Sequence, residues 1–142
     1  MRRPFGSVVL DAAVRVLVPA LMLYAVYVLA HGHYSPGGGF QAGAVLAVAM
    51  VLVPLVQGPR SKWGFGRRAA VILAGLGTLV FPGLGLLALL WGGNVLDYGA
   101  LPFGLEGAAG RALATMLVET GVALAVMGVF VIFFELFETG EI

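Results

Sequence analysis

Glu119 stands inside a long apolar run, and among the residues able to do chemistry in this chain it is the most informative. Setting an ionised carboxylate at the centre of a bilayer costs ~2.5–3.5 kcal/mol on insertion scales, so such a group faces protein or water rather than lipid. Its expected helical neighbours are Ala112, Thr115, Met116, Val122, Ala123 and Val126, and the small residues among them suit a covering helix. Two roles fit it: a proton relay or cation-pathway residue, or a protonated acid that makes an interhelical hydrogen bond. His31 and His33 flank Gly32 in a turn-rich segment that continues Tyr34-Ser35-Pro36-Gly37-Gly38-Gly39. Two histidines with no cysteine or acid beside them are too few for a metal site, so no metal is expected. The histidines are read as groups that cap helix carbonyls or meet headgroups, with proton-linked chemistry open to them. The glycine run lacks the Lys-Ser/Thr pair of a phosphate loop, and no nucleotide or other cofactor is expected. Asp11 and Arg15, four residues apart with the acid first, are expected to form a local ion pair near a helix end.

Elements able to hold these residues follow from composition. Of the 142 residues, 61% are hydrophobic and 11% charged, with a mean hydropathy of +1.03. There is too little polar surface to cover a water-soluble globule, so the lipid bilayer is expected as part of the solvent. From Val16 to Pro59 there is no Lys, Arg, Asp or Glu, which exceeds the ~20 residues of one crossing and requires two. The His/Gly segment divides them. The reading is an all-α integral membrane protein, a single domain over 1–142 with helices near 8–30, 39–57, 69–92 and 111–136. Gly39, Gly43 and Ala47 make a small-residue stripe in the second helix that admits close helix approach. Pro19, Pro54 and Pro82 are expected to kink their helices, and Pro82-Gly83 with Gly85 is the expected site of a broken third helix.

Charge sets the orientation. Arg2, Arg3, Arg60, Lys62, Arg67 and Arg68 fall on one side and Arg111 on the other, so the positive-inside rule puts both termini in the cytoplasm. The net charge of +1 leaves no electrostatic footprint for nucleic acid, and the absence of cysteine excludes disulfides and thiolate metal sites. Asp11 and Arg15 interrupt the first apolar run and no small-x-small cleavage site precedes the His/Gly segment. The first helix is therefore expected to remain in the mature protein.

The segment from Pro19 to Gly58 resembles the MnhB/MrpB subunits of multi-subunit sodium/proton antiporters. The residues that carry the likeness are His31-Gly32-His33, then Ser35-Pro36-Gly37-Gly38-Gly39-Phe40-Gln41, and Gly43. Val118-Glu119-Thr120-Gly121-Val122-Ala123-Leu124 is similar to the Glu-bearing segment of the family's last helix. Ala42 departs from a Gly common there. The resemblance implies an accessory subunit of the prokaryotic inner cell membrane, without a catalytic site of its own. Its implied partners are other antiporter-complex membrane subunits, and sodium ions and protons cross the whole assembly. Glu119, His31 and His33 become candidates for the ion pathway, and Pro36, Gly37, Gly38, Gly39, Phe40, Gln41 and Gly43 form the motif loop. Similar subunits also occur in membrane-bound hydrogenases and related redox complexes, within a sodium-translocating module. A purely structural assembly role is the third reading. A self-sufficient transporter fits less well, because one central acid in four helices leaves few polar groups to line a path.

Overall fold

A computed structural model describes residues 8–32, 37–58, 61, 63–103 and 107–140. It contains α1 (Val8–His31), α2 (Gly38–Gln57), α3 (Arg67–Leu90), a short 3-10 turn at Tyr98–Ala100, and α4 (Ala108–Thr139). All four α-helices are long and apolar enough to cross a membrane. The chain is therefore a multi-pass, all-helical membrane protein. Each helix begins or ends where polarity or glycine interrupts the apolar run. Asp97 accepts a hydrogen bond from the Gly99 amide at 3.1 Å and so starts the 3-10 turn. Gly140, with φ 69°, ends α4 in the left-handed conformation that glycine adopts without strain.

The third helix differs from its expectation. α3 runs unbroken from Arg67 through Pro82 to Leu90, and Pro19 and Pro54 likewise lie inside continuous helices. Proline removes one backbone donor and strains the preceding turn. In lipid, however, unwinding would leave several unpaired N–H and C=O groups, each costing several kcal/mol. Losing one bond is the smaller cost. Pro82 is exposed, and a methyl group at Gly83 would meet nothing within 4 Å, so no described neighbour forces the helix open. α4 also extends beyond its expected 111–136 at both ends.

The helices stand in a row rather than a closed bundle. α1 packs on α2, α2 on α4 and α4 on α3, while among the described residues α1 and α2 do not touch α3. Three small cores hold the row. Val14 and Val18 of α1 meet Ala49, Val53 and Val56 of α2. Val28, Ala42 and Ala123 join α1, α2 and α4. Leu84 and Ala88 of α3 meet Leu101 and Ala114. Among the described residues no large side chain is fully buried, because a single layer has no interior wide enough to enclose one.

Candidate functional site at the first turn

Glu119 is wedged against the turn between α1 and α2. Its backbone packs on Gly39: a methyl group there would sit 2.8 Å from the Glu119 carbonyl carbon and closer still to its oxygen. Its side chain turns back toward the turn. A methyl on Gly38 would stand 3.0 Å from Oε1, and one on Gly32 would stand 2.9 Å from the carboxyl carbon and collide with Oε2. Gly32, Gly38 and Gly39 thus form a cradle that any side chain would fill. Gly38 also has φ +42°, a region that other residues enter only with strain. One helical turn further on, Gly43 faces the Ala123 backbone, where a methyl would lie 2.9 Å from Cα. The expected small-residue stripe of α2 therefore packs on α4, with Gly39, Gly43 and Ala47 all buried.

The carboxyl group has no partner among the described residues. Oε2 is shielded from solvent and receives no hydrogen bond from them, and Thr120, its neighbour, spends its hydroxyl on the Met116 carbonyl at 2.8 Å. A shielded carboxylate oxygen without a donor costs ~1–3 kcal/mol or more. A donor or a cation beside the carboxyl would relieve that cost. Glu119 lies level with the first turn of α2, where Gly38 and Gly39 face it.

The remaining candidates separate into those that reach this cradle and those that do not. His31 is exposed. Its Nδ1–H donates to the Tyr27 carbonyl at 3.0 Å and its ring stacks on Tyr27 with centroids 4.3 Å apart. It caps the last turn of α1, as a terminal histidine is expected to do. His33 and Pro36 lie outside the described residues. Gln41 folds back over Gly37, where a methyl would lie 3.0 Å from its amide carbon. Phe40 points outward, 61% exposed. Ala42 is fully buried against Val28 and Ala123, so its methyl has a packing place. Asp11 and Arg15 do not form the expected ion pair. The rotation of α1 that buries Val14 and Val18 leaves Arg15 exposed, and an exposed pair gains too little to hold two side chains together.

Sequence reasoning assigns Gly32 only the end of the first helix and misses its place in this site. The available signal is topological, since the His/Gly turn and the start of the last helix fall on the same side. An acid early in α4 can then meet a glycine-lined turn.

The chain is similar to a protein of the Na(+)/H(+) antiporter of Bacillus subtilis (strain 168), one of its subunits, with 26% identity over 126 residues covering 87% of each chain. It is 38% identical over 65 residues to an uncharacterized protein of Methanocaldococcus jannaschii, a match that covers 46% of this chain and 25% of that one. The chain thus spans about a quarter of the length of this archaeal relative. Residues 9–132 match the domain related to the MnhB subunit of the Na+/H+ antiporter. With the match running through all four helices and including both the glycine turn and Glu119, the chain belongs to the MnhB-related family of antiporter subunit domains.

Proposed function

We propose that this chain is an accessory subunit of a multi-subunit sodium/proton antiporter in a prokaryotic cell membrane, a single membrane domain with both termini cytoplasmic. We assign Glu119 to the path of protons or cations through that assembly. The observation that carries the reading is the shielded Glu119 oxygen, unpartnered among the described residues, in a cradle of Gly32, Gly38 and Gly39. A group with only a scaffolding task would find a donor inside the fold, whereas a group that exchanges a proton or meets a cation needs a free oxygen. The open row of helices supports the accessory role. Among the described residues α3 meets neither α1 nor α2, so a complete path requires walls from neighbouring subunits. The family match and the likeness to the B. subtilis protein support the host complex.

Glu119→Gln is the test. It keeps size and hydrogen-bonding capacity but removes ionisation. Cation-dependent proton flux in vesicles carrying the whole complex is expected to fall about tenfold, equivalent to ~1.4 kcal/mol, while the complex still purifies intact. Glu119→Asp is expected to retain part of the flux. Full flux with Gln, together with weakened assembly for Glu119→Ala, would reduce the residue to a structural hydrogen-bonding group.

A further inference from the structure

The opposite end of the row carries a groove unrelated to Glu119. It is open, about 570 Å³ in volume, and runs between α1, α2 and the segment that follows α2. Its polar lining comes from Arg15, Gln57, Ser61 and Trp63. Ser61 donates to the Gln57 side-chain oxygen at 3.5 Å and accepts from the Trp63 amide at 3.2 Å, which fixes the loop beside the helix end. Arg15 has neither an ion pair nor a hydrogen bond among the described residues, and no described carboxylate lines the groove. Guanidinium, indole N–H, amide and hydroxyl all offer donors, and the one full charge among the described lining residues is positive.

The rest of the groove is apolar. Val18, Pro19 and Met22 of α1 and Val53 of α2 line it, directed along the helices away from the loop. The loop dips beside α2: Gly64 and Phe65 share a second pocket with Met50, Val51 and Pro54, so loop atoms reach about two turns, ~10 Å, back from the helix end. Arg15 and Trp63 line one groove, so the cation and the indole meet there, with apolar-lined space continuing along the helices.

We propose that this groove binds an anionic phospholipid, with the phosphate on Arg15 and the Trp63 indole and one acyl chain along Val18, Pro19, Met22 and Val53. Charge complementarity selects the headgroup: a zwitterionic lipid offers the same phosphate oxygens but cancels their charge with its own ammonium, so the unpaired guanidinium favours the lipid whose phosphate charge is uncompensated. Arg67 and Arg68, exposed at the start of α3, add to the positive field at the same end of the row. Trp63 supplies an amphipathic ring of the kind that settles at the headgroup boundary. A bound lipid of this kind would fill the outer flank of the α1–α2 pair, where no described helix of this chain covers it.

The test uses the full chain in vesicles. With Trp91→Phe, Trp63 is the sole tryptophan and reports quenching by brominated lipid placed in the bilayer. Brominated phosphatidylglycerol is expected to occupy the groove about fivefold more tightly than brominated phosphatidylcholine, the weight of ~1 kcal/mol for one near-surface cation. Arg15→Gln is expected to bring the ratio near one, and Arg15→Lys to keep most of it. Arg15 is exposed, so neither change disturbs the core, and helical content measured alongside verifies folding. Equal quenching by the two lipids in the parent protein overturns the proposal and leaves the groove to a carboxylate of a neighbouring subunit. A preference that survives Arg15→Gln also overturns it, because it would then arise from the general basic surface.

Discussion

The two sides of α2 are built on different principles. Toward α1, side chains interdigitate: Val14 and Val18 against Ala49, Val53 and Val56. Toward α4, backbones touch through glycine, Gly39 against Glu119 and Gly43 against Ala123. α4 repeats the second principle on its far side, where a methyl on Gly77 would stand 2.6 Å from the Ala125 nitrogen and one on Gly128 would stand 2.6 Å from the Ala70 oxygen. A valine interface can repack after a small change, because side chains have rotamers to exchange. A backbone contact has none. α1 is therefore held by volume and α4 by position, and the helix held by position is the one that carries the acid.

The contrast is broken most severely at Gly43. Gly43→Val should separate α2 from α4 at a cost of at least ~1–3 kcal/mol, the range for overpacking, and abolish co-purification with the rest of the complex. Gly39→Val, which also invades the cradle, should behave alike. Co-purification at parental level would show that the glycines are not the basis of the contact. Next in size is the α1 side, where Val18→Ala removes two buried methyl groups and should cost ~1–2 kcal/mol. It should lower the thermal midpoint in mild detergent and leave antiport intact, whereas lost antiport would couple α1 to the site. The smallest effect sharpens the same point. Gly75 and Gly83 lie in α3 with nothing among the described residues near enough to meet a methyl, and Gly75→Ala or Gly83→Ala should stay within ~0.5 kcal/mol. Glycine in these helices matters where a backbone faces it and nowhere else. Separately, a reporter fused after Ile142 should read cytoplasmic if the basic flanks orient the chain; an external reading would reverse the proposed topology.

Much of the fold is legible from where charges are missing. The apolar runs mark four spans because lipid tolerates few interruptions of another kind, and the His/Gly segment divides the first two because nothing else between Val16 and Pro59 is polar enough. Neighbour relations are less legible. Hydrophobic pattern says which residues avoid water, but in lipid an apolar face can meet either acyl chains or another helix. The reliable mark is small residues in register. Gly39 and Gly43 are readable in this way, while Gly77 and Gly128 are hidden because Leu73 and Phe81, and Leu124 and Ile132, stand at four-residue spacing from them. Pro82 misleads for a physical reason: the helix-breaking tendency measured in water weakens where unpaired backbone has no solvent to turn to. Glu119 is readable as a residue but not as a contact, since nothing in its own helix says that it meets the glycines of the α1–α2 turn.

The order of the row, α1, α2, α4, α3, differs from the order of synthesis, and this bears on how the chain is made. When α3 leaves the ribosome it has no surface in the nascent chain to join, because among the described residues it touches neither α1 nor α2. Between α2 and α3 there must be room for one helix, at ~8–10 Å from each neighbouring axis. α4 fills that room last. Until it does, Gly39 and Gly43 face lipid with no side chains to shield their backbone, so the nascent protein has a half-finished stage whose length is set by the translation of about fifty residues at ~5–20 per second. A chain stopped before Ala108 would consist of a hairpin and a lone helix, a natural substrate for membrane quality control, and the commitment to assemble would rest on the arrival of the same helix that brings the acid.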